Sequence, residues 1–288
     1  MADNPKNVAA SVKARLLNIA REQGRVFDIL LVRFALERLL FRLSISAYRD
    51  SYVLKGGMLV TQWLDHDNRE TRDIDFLGFG ADDQEAIKAI FTEIMATDVG
   101  DGLVFDVGAL VASPIREEME YGGIRLRTSA YLERTRIPTT LDIGFGDVLT
   151  DPSQTIDYPS LLGMECPNIR SYPPETVIAE KFQAVVALGL ANGRMKDFYD
   201  LWAVPRTLWI NGSALDAAIA ATFARRETPI PVERPVGLSE AMALDPAAEQ
   251  RWRAYIASLE LPPLHFSDVL DEIWSLLSAS CARQRETR

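Results

Sequence analysis

Cysteine and histidine are scarce in this sequence. Its two cysteines are Cys166 and Cys281, and its two histidines are His66 and His265. They are too few and too far apart for a zinc cluster, and so little cysteine argues against a disulfide-stabilised secreted protein. No apolar run reaches the roughly 20 residues of a membrane span, and the N-terminus has no cleavable signal pattern. We therefore expect a cytoplasmic protein that does not associate with a membrane.

Positive charge is also in deficit. The 288 residues include 31 Lys and Arg against 41 Asp and Glu, which gives a formal net charge of −10. Such a charge repels phosphate at long range and is the main argument against a nucleic-acid substrate. The deficit is uneven, since residues 1–50 contain nine Lys or Arg against five Asp or Glu. Hydrophobic residues at 48% allow a sizeable core, either as one elaborated domain or as two lobes.

Hydrophobic periodicity predicts an α+β fold with a mixed β-sheet core. Residues 8–50 have a helical pattern with an apolar side and a wet side that carries Arg33, Glu37 and Arg38. A helix over 82–96 and strands around 104–111, 124–131 and 139–145 follow. From Pro173 onward the pattern is helical, and one of these helices is expected to stop near Pro205. The predicted domains are an N-terminal helical cap over 1–50, a core over 51–165 and a C-terminal helical lobe over 166–288.

A glycine turn stands just upstream of two carboxylates. Gly56 and Gly57 precede a short apolar helix, and a backbone without Cβ atoms lets phosphate approach the free N–H groups at a helix start. In an extended strand, Asp73 and Asp75 fall on one face. Such a pair can hold Mg²⁺, which would orient a hydroxyl and neutralise a leaving pyrophosphate. Lys55 is a further candidate phosphate contact. A solvated turn or strand edge is the alternative, since Asp-x-Asp is common.

Other charged residues are candidates for the same chemistry. Asp142 lies in an alternating segment beside Gly144 and is a candidate third metal ligand. Lys181 lies at the margin of a helical apolar stripe, where it would contact phosphate or extend along apolar surface to water. Asp197, on the next predicted helix, would act in catalysis or pair with a nearby cation to lock two helices together.

A possible contact surface for RNA lies on a predicted strand that begins near Gly122. Arg125 and Arg127 share one face of that strand, with tyrosines nearby in sequence. Arginines interleaved with aromatic residues contact phosphates and stack on unpaired bases. The alternative is a solvated face on which these arginines pair with the neighbouring glutamates Glu117, Glu118, Glu120 and Glu133.

The order of these motifs resembles that of the AbiEii/AbiGii toxin family of nucleotidyltransferases, within the DNA polymerase β-like superfamily. The matching segments are Lys55-Gly56-Gly57, Arg72-Asp73-Ile74-Asp75-Phe76, Leu141-Asp142-Ile143, Ala179-Glu180-Lys181-Phe182 and Lys196-Asp197-Phe198-Tyr199-Asp200-Leu201-Trp202. The resemblance implies a nucleotidyltransferase-like core and a toxin of a toxin–antitoxin or phage-defence system. Such a toxin transfers nucleotides from a nucleoside triphosphate, with tRNA 3′ ends as acceptor in some relatives, and has a cognate antitoxin. One departure is Met58, where the family usually has Ser or Thr.

Two other functions stay open at this point. A nucleotidyl- or phosphotransferase directed at a protein would use the same carboxylates and lysine, and the phosphotransferase would attack the γ-phosphate. A catalytically weak module would bind nucleotide and act through a partner, as Met58 and the acidic composition suggest.

Overall fold

The computed structural model describes residues 7–64, 69–80, 82–115, 122–149 and 154–286. The chain forms two compact units. The first, here called the sheet unit, consists of Met1–Gln62, Glu70–Gly146 and Gln154–Ser171. The second, the helical unit, consists of Trp63–Arg69, Asp147–Ser153 and Tyr172–Arg288. The division at residues 50 and 165 stays a prediction.

Two helices open the sheet unit. Helix α1 spans Val8–Glu22 and begins at Asn7, whose side chain accepts the Ala10 N–H, which is a preferred N-cap arrangement. Helix α2 spans Phe27–Ser44.

The predicted wet side of α2 is wrong for Glu37 and Arg38, which are buried. Arg38 and Arg42 both bond to Asp101, with Arg42 Nη1 2.7 Å from Asp101 Oδ2. A carboxylate distant in sequence therefore compensates two buried arginines.

The sheet unit contains eight strands among its described residues. Their bounds are β1 Tyr52–Lys55, β2 Asp73–Gly78, β3 Leu103–Phe105, β4 Val111–Pro114, β5 Gly123–Leu132, β6 Thr135–Phe145, β7 Gln154–Asp157 and β8 Asn168–Ser171. The order is β3-β5-β6-β2-β1-β8-β7, with β4 also paired to β5. Pairs β2–β6 and β1–β8 are parallel and the others antiparallel. This mixed sheet confirms the predicted α+β class.

Two further helices complete the sheet unit. Helix α3 spans Gly56–Trp63 and follows β1 directly, whereas α4 spans Gln84–Ala96. Three aromatic side chains tie α4 to the sheet. The Tyr52 ring lies 5.0 Å from that of Phe91 and 5.9 Å from that of Phe76, both edge-on. Such pairs add to the free energy of apolar burial and fix the strand that carries the two aspartates.

The helical unit contains six α-helices among its described residues: α5 Pro174–Leu188, α6 Met195–Thr207, α7 Gly212–Arg225, α8 Glu240–Ala243, α9 Pro246–Ser258 and α10 Phe266–Glu286. Its core includes Trp252 stacked on Phe266 with ring centroids 4.9 Å apart. The expected stop near Pro205 is two residues early, because α6 continues to Thr207. The proline lies in the last turn, where Leu208 N–H still bonds to Val204 O. No helix in the described ranges is long and apolar enough to cross a membrane.

Candidate active site

A row of four charged residues crosses four adjacent strands of the sheet unit. The β1–β2 register pairs Lys55 with Asp75, the β2–β6 register pairs Asp75 with Asp142, and the β5–β6 register pairs Asp142 with Arg125. Directly opposed residues project to the same face of a sheet. We call these four residues the charged row. It places two carboxylates between two cations on one face.

Asp73 extends this site along β2. It lies two residues before Asp75, and the residues between and after them, Ile74 and Phe76, are buried. The predicted alternation along this segment is therefore confirmed. Both aspartates are half-buried. The Thr71 hydroxyl donates a hydrogen bond of 2.7 Å to Asp73 Oδ1, which orients one carboxylate beside the other.

The Asp75 carboxyl has a strongly perturbed pKa. Burial, together with the negative charges of Asp73 and Asp142, raises it from the ordinary value of 3.8 to about 6, against the opposing charge of Lys55. The N–H of Gly57 also donates to Asp75 Oδ2 at 3.3 Å and lowers the pKa slightly. The two carboxylates of β2 thus carry negative charge that Lys55 offsets only in part. A cation bound here would be electrostatically favoured.

The glycine turn packs closely against the Asp75 carboxylate. Gly56 has a positive φ of +66°, and a Cβ at this position would lie 1.9 Å from Asp75 Oδ2. Only glycine combines that backbone angle with so close an approach. The approach of phosphate to Gly56 and Gly57 stays a prediction. The structure adds a second reason for Gly56, because the turn packs directly on a carboxylate.

Met58 packs into the core of the sheet unit. Its side chain is 1% exposed. The Tyr158 hydroxyl donates to the Met58 carbonyl oxygen at 3.3 Å and lies 3.8 Å from its Sδ. The side chain of residue 58 therefore points into the apolar interior. The departure from the family pattern is accommodated by core packing.

Asp142 is already paired. Arg125 Nε donates to Asp142 Oδ1 at 2.6 Å, and Arg125 Nη2 donates to Asp142 Oδ2. This two-bond geometry is the strongest that a guanidinium and a carboxylate form. Arg127 follows on the same face of β5, is exposed, and opposes Thr140 in the register. The proposed RNA contacts of both arginines stay predictions, and Glu117, Glu118 and Glu120 lie outside the described residues.

The donor set suits Mg²⁺ only in part. Within the described ranges, no group of three or more His, Cys, Asp or Glu side chains is arranged to hold a metal ion. Asp73 and Asp75 offer adjacent carboxylate oxygens, which Mg²⁺ prefers, and their mutual repulsion would be relieved by a cation. Asp142 has both oxygens engaged by Arg125. Two of the three predicted metal ligands therefore fit as they stand.

The helical unit holds Lys181 in an ion-pair network. Lys181 Nζ on α5 lies 2.6 Å from Asp197 Oδ1 and 2.9 Å from Asp200 Oδ2, both on α6. Asp200 also accepts two bonds of 2.8 Å from Arg69. The predicted pairing of Lys181 with Asp197 is present, and the network links α5 to α6. The catalytic roles assigned to Lys181 and Asp197 stay predictions.

Lys181 and Asp200, at the centre of this network, both remain charged. Burial lowers the pKa of Lys181, but the charges of Asp200 and Asp197 outweigh burial and raise it above its ordinary value. Burial raises the pKa of Asp200, but Lys181 and Arg69 hold it below its ordinary value. The spacing of Asp197 and Asp200 on one helical face was visible in the sequence. Arg69 had no local signal, because its partner is 131 residues away.

The site residues thus form one group in each unit. The sheet unit holds Asp73, the glycine turn and the charged row. The helical unit holds Lys181 and Asp197, with Asp200 and Arg69 added by the structure.

Comparison with known proteins identifies the class. The fold is similar to that of MenT4, a nucleotidyltransferase toxin from Mycobacterium tuberculosis H37Rv, with a TM-score of 0.53 and 19% identity over 95% of this chain and 98% of that chain. JHP933 from Helicobacter pylori matches with a TM-score of 0.45 and 14% identity over 88% and 93% of the two chains. None of the curated proteins compared with the chain matches it.

A family model described as nucleotidyl transferase AbiEii toxin of a type IV toxin–antitoxin system matches residues 38–272. The chain belongs to this family of nucleotidyltransferase toxins. The predicted resemblance is confirmed, and the family implies transferase activity and an antitoxin partner.

Proposed function

We propose that this protein transfers a nucleotide from a nucleoside triphosphate to an acceptor hydroxyl, that of a tRNA 3′ end, with Mg²⁺ as cofactor. The observation that carries the proposal is the Asp73–Asp75 pair on β2. Its carboxylates lie on one face, next to a glycine turn that contacts one of them. Burial and the neighbouring carboxylates disfavour the charged form of Asp75 and raise its pKa to about 6. A divalent cation would reverse that balance.

Asp73 and Asp75 would hold the metal. When bound, Mg²⁺ would supply charge neutralisation at the triphosphate and at the departing pyrophosphate. The chain's own groups prepare this arrangement. Thr71 orients Asp73, and the Gly57 N–H and the close contact of Gly56 orient Asp75. The carboxylates are therefore positioned before substrate arrives, which lowers the cost of reorganisation during the reaction.

The proposed transfer is a substitution at the α-phosphorus. The acceptor oxygen forms a bond to that phosphorus, the bond from it to the oxygen bridging to the β-phosphate breaks, and pyrophosphate leaves. The hydroxyl proton passes to solvent. Positioning and electrostatics account for the rate, without a covalent protein nucleophile. Lys55, on the charged row, supplies a positive charge on the same face as the aspartates.

The choice of tRNA as acceptor rests on family resemblance and on the arginines of β5. Arg127 is exposed on the same face as the charged row, where it would contact phosphate. The net charge of −10 makes a broad nucleic-acid surface unfavourable. Acceptor contacts would therefore be few and local. A cognate antitoxin would counteract this nucleotidyl transfer, as part of a toxin–antitoxin or phage-defence system.

The test uses each α-labelled nucleoside triphosphate in turn with Mg²⁺, purified protein and total cellular RNA. RNA and protein are then resolved separately. Wild-type protein should label a tRNA-sized band, Asp73→Asn should not, and Asp82→Asn, at an exposed position, should label it as the wild type does. Label on protein would show that the acceptor is a protein and that the nucleotidyl transfer itself is as proposed. Transfer from γ-labelled nucleotide instead would show phosphoryl transfer. Nucleotide binding without label in any lane would contradict the proposed enzyme.

A further inference from the structure

The contact between Arg125 and Asp142 has a consequence for metal binding. Both residues lie within regular strands, and the β5–β6 register places them directly opposite each other. The pair uses both guanidinium edge nitrogens and both carboxylate oxygens. Its side chains are 32% and 16% exposed. The pair is therefore built into the sheet, and partial burial protects it from complete screening by solvent.

This pair occupies the oxygens that a metal would need. A guanidinium that binds both oxygens of a carboxylate occupies one acceptor site on each oxygen and neutralises most of the charge that would attract a metal ion. A divalent cation that approached Asp142 would also be repelled by the positive charge of Arg125. Cation and arginine thus compete for the same side chain.

Asp73 and Asp75 have different partners. Asp73 accepts from the neutral hydroxyl of Thr71, and Asp75 accepts from the Gly57 amide at 3.3 Å. Neither contact fills both oxygens of a carboxylate with a bidentate cation. Asp75 also lies opposite Lys55, whose charge offsets that of the carboxylates only in part. Asp142, by contrast, is paired with arginine through both oxygens and lies next to the two carboxylates that suit a metal.

We propose that Arg125 is a positioning residue that competes with a divalent cation for Asp142, so that the ion binds first at Asp73 and Asp75. Asp142 becomes a metal ligand only when its pair with Arg125 opens. This inference rests on the proposed function, since it takes the aspartates of β2 as the metal site. It assigns Arg125 a role in the affinity of the cation, separate from any contact with RNA.

The test measures binding of Mn²⁺ alone to the purified full chain, by electron paramagnetic resonance of the free ion. Arg125→Met should tighten binding about three- to ten-fold, because it removes a charge-assisted competitor that is partly screened by its exposure. Arg125→Lys should fall between wild type and Arg125→Met, since an ammonium lacks the bidentate fork. Arg127→Met removes the same charge two residues away on the same face, and should change the affinity less than two-fold, about the size of a surface-charge effect.

Asp142→Asn provides the second half of a double-mutant cycle. The Arg125→Met effect should vanish in the Asp142→Asn background, because the competition needs that carboxylate. Circular dichroism of each variant confirms that the fold is retained. Equal effects of Arg125→Met and Arg127→Met would overturn the inference and leave the metal site intact, provided that Asp75→Asn still weakens Mn²⁺ binding. Absence of Mn²⁺ binding by every variant would overturn both the inference and the metal part of the proposed function.

Discussion

Replacing Asp75 by Asn should stabilise the protein at pH 8 in the absence of divalent ions. Burial and the Asp73 charge raise the pKa of Asp75 from 3.8 to about 6. Above both values this shift corresponds to about 3 kcal/mol of destabilisation. The carboxyl is half-buried, so solvent screening reduces the expected gain to about 1–2 kcal/mol. Asn keeps the shape and can still accept the Gly57 N–H.

The direction of the pH dependence follows from the raised pKa. Protonated Asp75 is favoured in the folded state, so its stabilising contribution is fully present below about pH 4 and is lost as pH rises through about 6. Wild type and Asp75→Asn should therefore differ little at pH 4 and most at pH 8. The measurement is the free energy of unfolding from urea titrations at both pH values, with a chelator present.

Asp200→Asn is the matched control with the opposite sign. Lys181 and Arg69 hold the pKa of Asp200 below its ordinary value despite burial. Asp200→Asn should therefore lower the free energy of unfolding by about 3–5 kcal/mol, because it leaves the buried cations Lys181 and Arg69 poorly compensated. If Asp75→Asn instead destabilised the protein at pH 8 as Asp200→Asn does, Asp75 would be a paired structural carboxylate, and the electrostatic basis of the proposed metal site would be refuted.

Three further predictions concern the turn, the core and the helical unit. Gly56→Ala should lower the free energy of unfolding by about 1–3 kcal/mol more than Gly24→Ala, because both have a positive φ but only the first Cβ meets Asp75; equal losses in urea titrations would contradict this. Met58→Ser should lower the free energy of unfolding by about 2–4 kcal/mol, because it truncates a buried side chain, and should not speed nucleotidyl transfer. Faster transfer by this variant would show that the hydroxyl usual in the family at this position acts on the substrate. Lys181→Met should lower the thermal midpoint by removing a cation from its carboxylate partners, whereas an unchanged midpoint would show that the network contributes no stability.

The local parts of the site could be predicted from the sequence. Alternation along β2 places Asp73 and Asp75 on one face because the period of a strand is two residues. Glycines next to an apolar helix start indicated the turn at Gly56. The order of these motifs with Asp142 resembled one family, and the match over residues 38–272 confirmed it.

The contacts between distant segments could not be predicted in the same way. The pair of Arg125 with Asp142 depends on the register of β5 against β6, and the charged row depends on β6 lying next to β2. Neither is visible in residue spacing. The same holds for Arg69 and Asp200. Helix α2 shows the effect most clearly, since its sequence pattern places Arg38 on a solvated side, whereas in the fold Arg38 is buried and bonds to Asp101, 63 residues away.

The central claim is that the β2 carboxylates carry out nucleotidyl transfer, and it is tested most directly with Asp75→Asn. Label incorporation into tRNA and pyrophosphate release are measured together at pH 8 with Mg²⁺, for wild type and variant. Wild type should release one pyrophosphate for each nucleotide added, and the variant should be slower by about a hundred-fold or more. Because the variant should be at least as stable as wild type, such a loss cannot be attributed to unfolding. Transfer by Asp75→Asn at the wild-type rate would contradict the claim.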